Sequence, residues 1–315
     1  MSLKENIQQL ADTTDLTNKE IALRLGCSRR SVRRHVGRWA DRIRKRSVRL
    51  PDIKTPDIAK ILLFDIETAP IECYTWSLFP KYISHDFVIK DWSILSWAAK
   101  WLFSDTILSQ VVTREEAVNR TEGSVLKGIW DLLNEADIVI AHNGAKFDVK
   151  KLNTKFVMAG MQPPMPYRVI DTLSVVRRAF AFSSNKLDYL VKQLNNESKA
   201  ETGGFKLWKD CMAGDMEALA KMVDYNKKDV AIMEELYVTV RPWIKGHPNV
   251  GLYIDTDKTV CTNCGNENLN WGGYYYTPAG KYASFRCTGC GAIGRSRHMA
   301  IDKEDRERLV LSVAR

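Results

Sequence analysis

No stretch of this 315-residue chain approaches eighteen consecutive apolar residues, so no segment reads as a membrane-spanning helix. The opening residues, Met1-Ser2-Leu3-Lys4-Glu5-Asn6, lack the apolar centre of a secretory signal. The expectation is therefore an intracellular, cytoplasmic protein. In that setting seven cysteines do not form a disulfide framework, and four of them fall in two close pairs that suggest metal instead. Acidic residues are scarce at the N-terminal end. Residues 1–50 hold thirteen Lys/Arg against five acids, a net +8, which leaves only +1 of the total +9 for residues 51–315. A basic end on a near-neutral body points to a polyanionic partner. The 45% apolar content and nine Trp are those of a globular chain long enough for two or three folded units.

The basic end, residues 1–50, has helical logic. Thr17 and Glu20 form a capping box, and Ile21, Ala22 and Leu25 line one face of the helix they open. Gly26 stops that helix. Ser28 caps a second one, with Val32, Val36 and Trp39 inward and Arg29, Arg30, Arg33, Arg34 and Arg38 outward. The pair resembles a helix-turn-helix of the recombinase or sigma-factor type, whose second helix enters the DNA major groove. A basic helical hairpin that only grips phosphates, or only aids solubility, is the alternative reading. Arg42 to Arg46 continue the basic face, and residues 51–56 read as a linker.

Residues 57–245 open with Lys60-Ile61-Leu62-Leu63-Phe64-Asp65-Ile66-Glu67-Thr68, a buried strand closed by the turn at Pro70. Side chains alternate along a strand, so Asp65 and Glu67 point the same way. Neighbouring carboxylates repel unless a shared divalent cation neutralises them; two solvated acids at a strand end are the other reading. Further strands are expected over Trp92–Phe103, Asp105–Val112, Asp137–Ala141 and Arg168–Asp171. Helices are expected over Gly123–Asn134, from Asp148, and over Thr172–Phe182, Lys186–Leu194, Met216–Met222 and Tyr225–Tyr237. Hairpin-forming strands followed by alternating strands and helices make a mixed sheet with helices on its faces. Asp148 then stands in the first turn of a helix, and Tyr225 and Asp229 share one helical face. With Asp65 and Glu67 they could hold two divalent cations about 4 Å apart, the arrangement for in-line phosphodiester displacement. Oxygen-only ligands favour Mg²⁺ or Mn²⁺.

Taken together, Phe64-Asp65-Ile66-Glu67-Thr68, Asn143 with Phe147-Asp148, and Tyr225-x-x-x-Asp229 resemble the three exonuclease motifs of the DEDD superfamily, tyrosine branch. That family includes the proofreading exonucleases of family B DNA polymerases and related stand-alone phage and bacterial nucleases. The resemblance covers about residues 57–240. The histidine branch would carry His at position 224, where Asp224 stands. The resemblance implies a ribonuclease H-like α/β fold and 3′→5′ removal of nucleotides with two Mg²⁺ or Mn²⁺. It implies Asp65, Glu67, Asp148 and Asp229 as ligands, Tyr225 orienting the attacking water, and Asn143 near the terminal nucleotide. DNA is expected over RNA only because of the helix-turn-helix. An exoribonuclease or a structure-selective endonuclease on the same fold, and a DNA-binding regulator with an inactive core, are the alternatives. Too few residues follow Trp243-Ile244 for a polymerase, so a stand-alone enzyme is expected. Around these motifs, His142 reads as structural, Asp171 as a helix N-cap, residues 202–208 as a loop over the substrate, and Trp208 as core.

Residues 246–315 carry Cys261-x-x-Cys264-Gly265 and Cys287-x-x-Cys290-Gly291. Each glycine lets backbone amides turn toward sulfur, and four thiolates close a tetrahedral site, so one structural Zn²⁺ is expected. Trp271, Tyr274, Tyr275, Tyr276, Tyr282 and Phe285 lie between the pairs and read as strands of a zinc ribbon. They cannot all be buried, since strand neighbours alternate faces. Beside Arg286, Arg295, Arg297 and His298, exposed rings could stack on single-stranded bases or contact a protein. Cys27, Cys73 and Cys211 read as ordinary buried cysteines.

Overall fold

The structure is a computed structural model, and it describes residues 2–13, 18–36, 59–195 and 204–310. The chain forms two compact units, Met1–Thr55 and Pro56–Arg315. No helix among the described residues is long and apolar enough to cross a membrane.

The first unit contains α1 (Leu3–Thr13), α2 (Asn18–Arg24) and α3 (Arg29–Val36). Ile7 and Ala11 of α1 close a small core with Ile21, Ala22 and Val32. Helix α1 was not anticipated, yet its signal is present. The Ser2 amide donates to Glu5 at 2.7 Å and the Glu5 amide to the Ser2 hydroxyl at 3.3 Å, a reciprocal capping box. Ser28 caps α3 as expected, its Oγ accepting from the Ser31 amide at 3.1 Å. Arg30, Arg33 and Arg34 are exposed on α3. Thr17, Arg38, Trp39, the run from Arg42 to Arg46 and residues 51–56 lie outside the described residues.

The second unit is built on a five-stranded mixed sheet. Its strands are β1 (Ile61–Ala69), β4 (Ser93–Trp101), β5 (Ile107–Val111), β6 (Ile138–Ala141) and β7 (Arg168–Asp171), in the order β5-β4-β1-β6-β7. A small separate ribbon pairs β2 (Glu72–Cys73) with β3 (Val88–Lys90). Strand β1 is antiparallel to β4 and parallel to β6. Its apolar run is explained by its central place, because both faces are covered. Leu62, Phe64 and Ile66 enter one core, with α5 (Gly123–Glu135) and α6 (Asp148–Met158). Ile61 and Leu63 enter the other, with Val230, Met233 and Tyr237 of the long helix α10 (Met216–Val240). This is the ribonuclease H-like architecture, a mixed sheet flanked by helices.

Three helical details differ from expectation. Helix α10 is one continuous 25-residue helix, not two. Nothing at Val223-Asp224 breaks it, and buried Met222 and Asn226 keep the same face inward across that point. Helix α9 (Phe205–Met212) stands where a loop was expected, because Leu207 and Cys211, four apart, are buried in the core beside α10. Helix α4 (Arg114–Asn119), opened by a Thr113/Glu116 capping box, was missed. Helices α7 (Thr172–Ala179) and α8 (Leu187–Asn195) fall close to their expected positions. Cys211 is buried, whereas Cys27 and Cys73 are only half-buried, a correction to the sequence reading. Cys27 lies in the turn after α2, and Cys73 ends a two-residue strand of the small ribbon.

The chain ends in a three-stranded antiparallel sheet, β8 (Leu269–Thr277), β9 (Gly280–Cys287) and β10 (Ile293–Arg295), followed by α11 (Lys303–Arg308). A buried polar latch holds its first cysteine turn to the end of α10. The Arg241 guanidinium donates to the Asn263 carbonyl through Nε at 2.9 Å, and Asn263 Nδ2 donates to the Arg241 carbonyl at 3.1 Å. Both residues are buried.

Candidate functional site

Strand β1 delivers the first two acids at the point where its pairing with β4 slips between Glu67 and Thr68. The extra residue there is Leu95 of β4, so Asp65 and Glu67 stay in regular register and share one face. Helix α10 crosses this end of the sheet and brings in Asp229. One carboxylate oxygen from each of Asp65, Glu67 and Asp229 lies within 4.8 Å of the others. Asp65 and Glu67 are half-buried, and Asp229 is buried.

Asn226 stands beside this cluster, and the sequence reading did not single it out. Its Nδ2 donates to Asp65 Oδ2 at 2.6 Å, and its Oδ1 accepts from Ser96 Oγ at 3.3 Å. It is fully buried, so this bonding fixes the Asp65 carboxylate on the α10 side. A signal existed: Asn226 lies three residues before Asp229 and therefore on the same helical face. Tyr225 is one turn before Asp229 and half-buried. Its ring packs edge-on against Trp208 of α9, with centroids 6.0 Å apart. Trp208 is thus part of the packing, as expected.

Asp148 does not join the other three acids. It is buried in the first turn of α6, and its Oδ1 accepts from the Ile66 amide at 3.3 Å. It therefore sits against the backbone between Asp65 and Glu67. Burial pushes its carboxyl up to about 7; Asp171 adds to the rise, while the Ile66 amide opposes it.

The turn before α6 is tightly organised. Asn143 is left-handed, at φ +72°, and its carbonyl accepts from the Lys146 and Phe147 amides at 3.1 and 3.0 Å. A side chain at Gly144 would come within 2.3 Å of the Ala141 Cβ, so only glycine fits there. Asp171 holds this turn from behind. Its carboxylate accepts from the Asn143 and Ala145 amides at 3.1 and 3.3 Å, and from the Ser174 amide at 3.1 Å as the cap of α7. His142 is a brace: Nδ1 lies 2.9 Å from Thr172 Oγ1, and Nε2 donates to the Asn185 carbonyl at 3.0 Å.

The four sulfurs of Cys261, Cys264, Cys287 and Cys290 form the second cluster, also within 4.8 Å. Cys261 to Cys290 is 3.7 Å and Cys264 to Cys287 is 3.6 Å. A tetrahedron with metal–sulfur bonds of about 2.3 Å has edges of about 3.8 Å, so the spacing fits a Zn²⁺-sized ion. The two turns repeat one geometry. Gly265 and Gly291 both have φ +76°, and their amides donate to the Cys261 and Cys287 carbonyls at 2.8 and 3.0 Å. Bonding to the Cys264 thiol, helped by backbone amides, holds the Cys261 thiol well below the usual range, while that same bond pushes the Cys264 thiol up and burial pushes the Cys290 thiol up. The donor sets thus divide cleanly: three carboxylates suit a hard cation such as Mg²⁺ or Mn²⁺, and four thiolates suit Zn²⁺.

The family model RNase_H_2, of the RNase_H superfamily, matches residues 103–241. That segment contains Asn143, Asp148, Tyr225 and Asp229, begins after Asp65 and Glu67, and ends before the cysteines. Among solved structures, the chain is similar to the family B DNA polymerase from the hyperthermophilic archaeon Pyrobaculum calidifontis. The identity is 14% and the TM-score 0.43, over 72% of this chain and 32% of the polymerase. The chain thus spans about a third of that polymerase's length. No curated protein matches it.

Proposed function

We propose that this protein is a metal-dependent 3′→5′ exonuclease of the DEDD type, tyrosine branch, that hydrolyses phosphodiester bonds at single-stranded or frayed DNA ends. The observation that carries this reading is the convergence of Asp65, Glu67 and Asp229 within 4.8 Å at one end of a ribonuclease H-like sheet. Asp65, Glu67 and Asp229 would hold the Mg²⁺ or Mn²⁺ ions, with Asp148, bonded to the Ile66 amide, as the fourth acid of the set. Bound there, two such cations supply an acidified water and charge neutralisation at the leaving oxygen. The chain does the positioning. Asn226 fixes the Asp65 carboxylate, and the alternation of side chains along β1 sets Glu67 on the same face. Tyr225, its ring held by Trp208, presents its hydroxyl to orient the attacking water. Asn143, set by Asp171, lies near the terminal nucleotide. In this reading residues 1–50 are a DNA-binding helix-turn-helix gripping through Arg29, Arg30, Arg33, Arg34 and Arg38. The four-cysteine sheet is a zinc ribbon with one structural Zn²⁺.

The test is purified protein with Mg²⁺ or Mn²⁺ on single strands of DNA and RNA labelled at the 3′ or the 5′ end. Mononucleotides should leave the 3′ end of DNA. Internal cuts, or activity confined to RNA, would overturn the proposal.

A further inference from the structure

Between Asn268 and Ile301 the chain contains no Asp or Glu, but it carries Lys281, Arg286, Arg295 and Arg297. Over the same span it carries six aromatic rings. The pairing of β8 with β9 sorts those rings by face. Tyr275 stands opposite Tyr282, and the Arg295 guanidinium covers both rings, at 4.0 Å from Tyr282 and 5.5 Å from Tyr275. The other face carries Trp271 opposite Phe285, Tyr274 opposite Ala283, and Tyr276 opposite Lys281.

On that second face the demands of folding account for one ring. Phe285 is 5% exposed, and its ring fills the space left by the missing side chain of Gly294, where a Cβ would lie 2.2 Å from it. Trp271, Tyr274 and Tyr276 remain 49%, 51% and 65% exposed. The Tyr274 and Tyr276 rings are 6.5 Å apart, and the Lys281 ammonium stands 3.9 Å from the Tyr274 ring centre. A row of half-exposed rings beside the Lys281 ammonium, with no carboxylate in the segment, complements a ligand that is both polyanionic and flat-faced. Single-stranded nucleic acid has both properties, whereas a duplex keeps its base faces stacked inside.

We infer that the Trp271, Tyr274, Tyr276 and Lys281 face of the cysteine-bearing sheet is a sequence-tolerant grip for single-stranded nucleic acid. Bases stack on the three rings, and phosphates meet Lys281. The inference does not rest on the nuclease reading, because binding is measured without cleavage.

The experiment uses the full chain with zinc supplied and no added Mg²⁺ or Mn²⁺. Fluorescence anisotropy follows labelled oligothymidine, oligouridine and a blunt duplex, each about twenty nucleotides long, enough to cover such a face. Tyr274→Ala/Tyr276→Ala should weaken binding of one or both single strands by about tenfold or more and leave the duplex unchanged. Tyr274→Phe/Tyr276→Phe, which keeps the rings, should bind like the parent. If the alanine variant does not fold, Lys281→Glu carries the test. It should weaken single-strand binding and shrink its salt slope by about one unit. A folded alanine variant with parental affinity for both single strands would overturn the inference and leave the face to a protein partner. So would an equal loss of duplex binding, or a Lys281→Glu variant with unchanged affinity and salt slope.

Discussion

The cysteine cluster and the carboxylate cluster are assembled in opposite ways. Cys264 and Cys287 are 23 residues apart, and each sulfur pair comes from a short turn that repeats the other's hydrogen bonds. Asp65 and the Asn226 that fixes it are 161 residues apart, joined only because α10 crosses the sheet at β1 and β4. The sulfur site is small, local and closed on itself. The oxygen site is an intersection of distant elements, with two half-buried acids. Metal in the first should be worth structure, and metal in the second should be worth chemistry.

The sharpest way to break this contrast is at the acids. Asp65→Asn and Asp229→Asn should each lower the cleavage rate by about a thousandfold or more while the melting temperature hardly falls. A normal rate in either variant would remove the metal assignment.

Next in size is the sulfur site. Stripping its metal, or Cys264→Ser, should unfold β8–β10, since structural zinc contributes about 10 kcal/mol or more to the folding of small zinc-binding units. Hydrogen exchange should show those strands losing protection while β1 and β4 keep theirs. Uniform protection in the stripped protein would mean the ribbon does not need the ion.

Smaller again is Tyr225→Phe. Removal of the hydroxyl should cut the turnover rate by about ten- to a hundredfold with little change in KM, since the ring still packs on Trp208. A changed KM with normal turnover would make Tyr225 a substrate contact instead.

The smallest effect concerns the seam between the regions. Arg241→Ala strips the Asn263 carbonyl of its donor inside a buried contact, a loss of about 2–3 kcal/mol. Denaturant unfolding measures the loss, which should fall on the first cysteine turn and spare the rate on short oligonucleotides.

The same contrast explains what could be read before the structure. The cysteine turns were legible because their geometry is local: two residues between cysteines, then glycine. Asp65 and Glu67 were legible as a same-face pair because strands alternate. Asp171 was legible as a cap because its partner, the Ser174 amide, is three residues away. Asn226 was missed because the acids around it drew the reading, though its helical position was available. The separation of Asp148 from the other acids depends on how far α6 stands from β1, which no local spacing encodes. Helix α9 was hidden because its register shows only when Leu207 and Cys211 find the core beside α10. The unbroken course of α10 likewise reflects what its middle packs on.

The most direct test of the central claim compares linear single-stranded DNA with a closed circle of the same sequence in Mg²⁺ or Mn²⁺. If the carboxylate cluster is a 3′→5′ exonuclease, the linear strand shortens from its 3′ end, the circle stays intact, and Asp229→Asn spares both. Nicking of the circle, shortening from the 5′ end, or undiminished degradation by Asp229→Asn would contradict it.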